Sequence, residues 1–467
     1  MNTTLLSSWN WAQAEFAGAE LGDARRTKRL IKVASALAGN PQGVLNQALP
    51  AWSALKAAYR LLECEEVTYE AISAPHKQAT REACKAPGEY FLVEDTSSLN
   101  YTSHLAVEGL GRIGDDGGQG LYVHSTLALR VARWNEEHTP EVTMVGMFAQ
   151  SCWARTMPTI GQGAEKKCAR FNRARESQRW AAAFQDGGPP PGAHWTYIAD
   201  RESDIFEVFD ECGYKGLDWI VRANQPRALE EEGGSVFEAV AKAQKLGTFK
   251  IKLRARPGQK KRTAYLEVRA TSVILRGPWR PGGGLAPQPM NVVAAREVDA
   301  PKGVEPIHWV LLTSWDISTC KAALRIIKAY TRRWLIEEYH KALKTGTSVE
   351  ESQLTNAHSL RALLGVLAIV AVRLLNMKLL ATSEPGAALE PDDLSPEAFT
   401  ILEGVTGQPK EGWTNLTVLV AIAKIGGFLG RKHDGAPGWI SIWRGWHRLM
   451  IMIQGYEFAL SKGKKCG

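Results

Sequence analysis

The chain has 467 residues, 45% of them apolar and 23% charged, which suits a folded protein of about three domains and excludes disorder as its main state. Lys and Arg number 57 against 49 Asp and Glu, so the net charge is +8, and a pI near 9.0 favours a polyanionic partner. No basic segment followed by an apolar one opens the chain, so no signal peptide is expected, and the longest apolar run, Ala362 to Val372, is too short to cross a bilayer. The seven cysteines include no CxxC pair and read as reduced cytosolic thiols, not as a zinc site. There is no internal repeat and no long low-complexity tract.

The first ~85 residues carry helical periodicity. Asp23 is a candidate helix cap, and Leu30, Val33, Ala34 and Leu37 recur at core spacing. Arg25, Arg29 and Lys32 fall on another face with Lys28 beside them, and Arg26 belongs to the same basic run. A second helix, from about Ala51 to Leu62, carries Lys56 and Arg60. Two readings stay open for this cluster: solvated helix faces, or a nucleic-acid contact.

Near Glu89 the pattern turns to strands. Tyr90 to Val93 is a short apolar run that ends in Glu94 and Asp95. Leu121 to Val131 and Glu141 to Ala149 follow as a predicted antiparallel meander. A helix is expected over Glu165 to Phe184, a strand over Trp195 to Ala199 ending at Asp200, a short helix over Ser203 to Cys212, and a strand over Asp218 to Arg222. The order β-β-β-α-β-α-β fits an α/β domain with a mixed sheet.

An insertion at about 225–308 comes next. Phe249, Ile251 and Leu253 alternate with Lys250, Lys252, Arg254 and Arg256, a strand with one apolar and one basic face. The basic face suits either a guarded sheet edge or a phosphate-tracking surface. The basic turn Pro257 to Arg262, a strand over Thr263 to Leu275, a Pro/Gly loop over Gly277 to Pro289, and strands over Met290 to Val298 and His308 to Thr313 complete it. A long helical segment is expected from Ser318 to Lys344, then helices over Arg361 to Leu380, Leu416 to Leu429 and Trp439 to Leu460, with a Pro-rich acidic linker at Glu384 to Pro396. Trp413, Trp439, Trp443 and Trp446 suit either a partner surface or a small core of their own.

Asp95 and Asp200 share one pattern, an apolar strand ending in an acid, and strand ends are where ligands gather in α/β folds. Taken alone, each reads first as a turn or cap residue. Tyr330, Arg333, Glu337 and Lys344 stay within roughly 60° of one another on a helix turning about 100° per residue, one polar stripe opposite Ile326, Ile327 and Leu335. Three carboxylates from two strands and a helix could hold Mg²⁺, a hard ion that takes oxygen ligands, and two such ions serve phosphoryl transfer. Arg and Lys on the same helix could hold neighbouring phosphates.

With these residues in view, the chain resembles the bacterial cut-and-paste DDE transposases of the IS-four family. The matching text includes LGDARRTKRL, EDTSSLNY, ADRESDI, IVRANQPR, WVLLTS, YTRRWLIEEYHKALKTG and IAKIGGFLG, spread over nearly the whole chain. Tyr330, Arg333, Glu337 and Lys344 fit that family's Y-(2)-R-(3)-E-(6)-K signature. The resemblance implies an RNase H-like catalytic domain with a β insertion at 86–365, an N-terminal helical end-binding domain at 1–85 and a C-terminal helical dimerisation domain at 366–467. It implies Asp95, Asp200 and Glu337 as catalytic ligands of two Mg²⁺ ions, with Mn²⁺ able to substitute. It assigns Tyr330, Arg333 and Lys344 to phosphates, Arg222 to DNA near the site, and Trp309 to stacking on a flipped base; a core tryptophan is the other reading of Trp309. Arg25, Arg26, Lys28, Arg29, Lys32 and Arg60 become candidate contacts to transposon-end DNA. The expected partners are double-stranded transposon ends, target DNA and a second copy in a synaptic complex, with no membrane. The expected location is the bacterial cytoplasm, at the nucleoid. A structure-selective nuclease and a non-catalytic regulator are the alternatives. Both lose ground because the acids and the basic N-terminal helices are all present.

Overall fold

The computed structural model describes residues 7–114, 116–155, 179–180, 183–184, 187–230, 233–253, 262–280, 283–389, 394–410, 412–431 and 434–463. Five helices open the chain: α1 (Ser8–Phe16), α2 (Ala24–Gly39), α3 (Leu45–Ala48), α4 (Trp52–Leu62) and α5 (Tyr69–Ala83). Asp23 caps α2, its carboxylate accepting the Arg25 N–H at 2.8 Å. Leu30, Val33, Ala34 and Leu37 are all buried, as their spacing requires.

The strands β1 (Gly88–Asn100), β2 (Gly111–Ile113), β3 (Gly118–Trp134), β4 (Pro140–Trp153) and β5 (Ala193–Ala199) follow, then α6 (Phe206–Lys215), β6 (Asp218–Arg222), α7 (Val236–Lys242), β7 (Lys245–Leu253) and β8 (Arg262–Leu275). Two short strands, β9 (Trp279–Arg280) and β10 (Gly283–Gly284), form a separate ribbon, and β11 (Gln288–Val298) and β12 (His308–Thr313) complete the set. One ten-stranded sheet runs β2-β3-β1-β5-β6-β12-β11-β8-β7, with β4 also paired to β3. The expected meander is present: β1, β3 and β4 are antiparallel, while β5 pairs parallel to β1 and β6 parallel to β5. The expected insertion strands join this same sheet through the antiparallel pair β6–β12, so the inserted segment extends the sheet. Its outer strand β7 is an edge, where the exposed Lys250 discourages pairing with another chain. Arg254, Arg256 and most of the basic turn lie outside the described residues, as does most of the helix expected over Glu165 to Phe184.

The Ser318 to Lys344 segment is not one straight helix. It is α8 (Cys320–Tyr330), a 3₁₀ turn at Thr331–Arg333, α9 (Trp334–Lys341) and a π turn at Ala342–Gly346. Then come α10 (Ala357–Ser383), α11 (Pro396–Thr406), α12 (Asn415–Ile425) and α13 (Trp439–Gly463). The sequence reading missed α11, which starts where the expected linker ends, and α10 runs unbroken through residue 365, the expected domain limit. By length and composition α10 could cross a membrane, but 83% of its most apolar window is buried inside the protein.

Alternation along β1 divides the packing. Phe91 and Val93 join a core that also holds the N-terminal helices and α8 to α10. Tyr90 and Leu92 face a second core with Trp195, Phe209 and Trp219. Trp439 and Trp443 belong to the first core and Trp446 to a small third one, all at most 5% exposed. These three tryptophans therefore fill cores and do not form a partner surface. Arg373 of α10 is buried between Trp11 and Trp446, with its guanidinium carbon 4.9 and 5.2 Å from their ring centroids. Burial pushes Arg373 down to about 9.

Candidate active site

Asp95 does not end its strand. β1 continues to Asn100, but its parallel partner β5 stops pairing with it at Val93, opposite Ile198. Continuing that register by two residues brings Asp95 level with Asp200, the first residue after β5. Asp200 caps a 3₁₀ turn, Arg201–Ser203, and accepts the Glu202 N–H at 2.8 Å. Strand alternation puts Asp95 on the same face as Phe91 and Val93, the face covered by α8 and α9. Glu337, in the first turn of α9, comes in over that face.

Arg333 joins these groups. Its Nη1 lies 3.3 Å from Asp95 Oδ2, and its Nη2 pairs with Glu337 Oε1. Asp95 also accepts the Thr96 N–H at 2.8 Å. Burial and the neighbouring Asp200 charge push the Asp95 carboxyl up to about 7, with Glu337 adding to the rise and Arg333 opposing it. Among the described residues, no three His, Cys, Asp or Glu side chains converge tightly enough to hold one cation. The donor set is nonetheless all carboxylate oxygen, which suits a hard dication. The Arg333 guanidinium lies between two of these acids, Asp95 and Glu337.

A cationic and aromatic rim borders the acids. The rings of Trp309 and Tyr330 meet edge-on at 5.7 Å. Burial raises the Tyr330 hydroxyl, while the charges of Arg333 and Arg222 oppose the rise. Arg222, opposite Leu311 in the β6–β12 pair, donates from Nη2 to the His308 carbonyl at 3.0 Å. Burial lowers its guanidinium, and Tyr330 and Arg201 lie close enough to influence it. Asp95, Asp200, Glu337, Arg333, Tyr330, Arg222 and Trp309 thus form one cluster. Lys344 sits in the π turn. Burial pushes the nearby His340 down to about 3, with Lys344, His124 and Arg333 adding to the fall. The sequence reading missed Arg201 and His308, although both lie beside residues it named.

Two buried networks set the acids in place, and sequence reading passed over both. On the face of β1 opposite Asp95, the fully buried Glu94 takes bonds from His124 Nε2, from Thr126 Oγ1 at 2.8 Å and from the Tyr197 hydroxyl at 3.4 Å. His124 Nδ1 meets Thr96 Oγ1 at 2.8 Å, and the Tyr197 hydroxyl meets Ser203 Oγ at 2.6 Å in the turn that Asp200 caps. Both ring nitrogens of His124 therefore have a partner. Behind α9, Gln150 Nε2 donates to Ser125 Oγ at 2.7 Å and to the Tyr339 hydroxyl at 2.8 Å, while Tyr69 of α5 donates to Gln150 Oε1 at 2.8 Å. The one sequence signal was a run of polar residues (Glu94, His124, Ser125, Thr126, Gln150) on otherwise buried strands.

A second group of named residues lies on the N-terminal helices. Arg25, Lys28 and Lys32 are exposed and Arg29 is half-buried on one face of α2, and Arg60 is exposed on α4. Arg25 pairs with Asp23 while remaining open to solvent. Arg26 turns inward, donating to the Leu21 carbonyl at 2.9 Å and pairing with Glu66 at 3.4 Å. Trp52, 69% exposed, precedes Lys56 and Arg60 at intervals of four and eight residues, an aromatic and basic stripe that the sequence reading overlooked.

The ends of the chain match two family models. Residues 8–67 match a transposase DNA-binding domain, and residues 371–466 match a Transposase Tn5 dimerisation domain.

Proposed function

The chain is a Tn5-like transposase, and from that premise we propose that it moves DNA by a cut-and-paste reaction at the Asp95–Asp200–Glu337 cluster. The observation that carries this reading is that Arg333 bridges two acids distant in sequence, Asp95 and Glu337, at the point where β1 and β5 part, with Asp200 next in register on the β5 side. An RNase H-like core is supported by the antiparallel β1, β3 and β4 running on into the parallel β5 and β6. The exposed cations of α2 and α4 bind the transposon end through phosphates and base edges. The C-terminal helices join two copies, each with one DNA end, and the complex works in the cytoplasm on the nucleoid.

Asp95, Asp200 and Glu337 would hold Mg²⁺, two ions per site, with Mn²⁺ as a substitute. When bound, the ions activate the attacking oxygen and stabilise the leaving one. Arg333, Tyr330 and Lys344 hold the phosphates of the end, and Arg222 holds the backbone beside it. Water first attacks the phosphorus at the transposon boundary, and the departing oxygen takes a proton to become the 3′-OH of the transposon. That hydroxyl attacks the opposite strand to close a hairpin, releasing the flanking DNA. A second water opens the hairpin and restores the 3′-OH, which attacks target DNA and displaces a target 3′-OH. Trp309 receives the base expelled when the hairpin bends.

A DNA fragment bearing the element's own ends, incubated with the protein with and without Mg²⁺, tests the reading. Hairpin-ended excised fragments that need Mg²⁺ are expected. End binding with no strand cleavage under any divalent cation would overturn it.

A further inference from the structure

We propose that Arg333 is a counter-ion latch: in the DNA-free chain its guanidinium stands between Asp95 and Glu337 where a divalent cation would bind, and a DNA phosphate draws it away. Metal loading then follows DNA binding. The proposal rests on the reading that the three acids are metal ligands.

An Arg–Glu pair four residues apart on a helix is ordinarily a weak surface contact. This one has a third member from another element, Asp95, 238 residues away in sequence. The Arg333 and Asp95 side chains are only 14% and 16% exposed, so water screens them little. The guanidinium is a permanent cation with five donors in a planar fork, and here the fork spans two carboxylates. The oxygens that accept from it are ones a dication needs. A dication arriving while Arg333 stays must meet a positive charge already seated at its ligands.

Phosphate is the natural competitor for that fork, because it accepts two parallel N–H bonds in the same geometry as a carboxylate. Arg222 and Arg201 lie on the same rim, so a DNA backbone drawn there passes close to Arg333. Once Arg333 turns to a phosphate, the oxygens of Asp95 and Glu337 that it held are open to a cation. By linkage, metal and DNA each tighten the binding of the other by the same factor. An enzyme arranged this way holds little metal until its substrate is in place, which guards against stray cleavage.

Mn²⁺ binding to the full-length chain, followed by the loss of the free-ion electron spin resonance signal, reads this without any turnover. In the DNA-free protein, Arg333→Gln is expected to bind Mn²⁺ about tenfold more tightly than wild type, an ordinary size for coupling between two sites. Arg333→Lys, which keeps a charge but cannot span both carboxylates, is expected to fall between and covers any folding failure of the glutamine variant; melting curves accompany each. A duplex bearing the element's end, corrected for Mn²⁺ held by the duplex alone, is expected to tighten binding in wild type and far less in Arg333→Gln. Binding no tighter in either variant than in wild type, or an equal DNA effect in Arg333→Gln and wild type, overturns the latch. Glu337→Gln in the Arg333→Gln background separates the two ideas: if Mn²⁺ binding there does not weaken, the acids are not the metal ligands and the underlying reading fails instead.

Discussion

Asp95 carries a cost to the fold. Its carboxyl is pushed up to about 7 from an ordinary value of 3.8, chiefly by burial and by Asp200. Between those two values the folded chain keeps a proton that the unfolded chain has released, so stability falls as pH rises through the window and stays low above 7. Asparagine mimics the protonated form. In metal-free buffer Asp95→Asn should therefore melt about 3 °C above wild type at pH 8. The gain should shrink below pH 7 and vanish near pH 4. Calorimetry at three pH values checks this, and a lower melting point at pH 8 would refute it. Trp309 makes a second prediction. Stacking on an expelled base is worth roughly 1–3 kcal/mol, so Trp309→Ala should slow hairpin formation and opening by about five- to a hundredfold while sparing the first nick. Single-turnover assays that resolve nicked, hairpin and flush products test it, and an equal slowing of every step in a well-folded variant counts against base stacking there. Asp95 and Glu337 were legible as candidates because chemistry restricts which side chains can do their work. Glu94 was not, since a buried carboxylate beside a candidate-site one looks the same in sequence until its partners His124 and Tyr197 are brought to it by the sheet.

At the level of elements, the strand carrying Asp95 is fixed from behind. Glu94 gathers donors from β3 and β5, and through Thr96 and Ser203 it ties the segments that bear Asp95 and Asp200. Removing it strands those donors in a dry site. Glu94→Ala should cost at least about 1–3 kcal/mol, the usual penalty for leaving a buried donor unsatisfied, because it orphans more than one. The midpoint of urea unfolding measures it, and a loss under 1 kcal/mol would show that the network is not holding the strand. β3, β4, β5 and β6 were readable because their apolar residues and turn signals are local. The continuation of β1 past Asp95 was not, because Thr96, Ser97 and Ser98 look like a loop until β3 pairs with them residue by residue. The breaks in the α8–α9 segment were hidden for a similar reason. Nothing between Tyr330 and Lys344 is a proline or glycine to mark the 3₁₀ turn, and the π turn ends on Gly346, just past the signature. Tyr330, expected on a polar stripe, is only 6% exposed.

Over the whole molecule the basic residues of α2 and α4 are on different elements from the acid cluster, so on the proposed reading affinity for DNA can be tested apart from chemistry on it. Each phosphate contact contributes about −0.9 to the slope of log K against log salt. Replacing Arg25 and Arg29 by Ala should flatten that slope by up to about two contacts' worth and weaken end binding. Titrations at several salt concentrations measure this, and an unchanged slope and affinity would move the DNA contact elsewhere. The N-terminal helices do not stand apart in their packing. Trp11, Phe16, Leu30 and Leu37 share one core with α10 and Trp443. The Trp446 indole N–H donates to the Ala38 carbonyl at 3.0 Å across 408 residues of chain. Contacts so distant along the chain close slowly, because a long loop must be ordered before any of them forms. A ribosome has passed Trp446 before the Ala38 carbonyl of α2 meets this partner. A chain cut short anywhere before Trp439 has an apolar helix face with nothing to cover it, so premature termination yields a sticky fragment and not a free DNA-binding module.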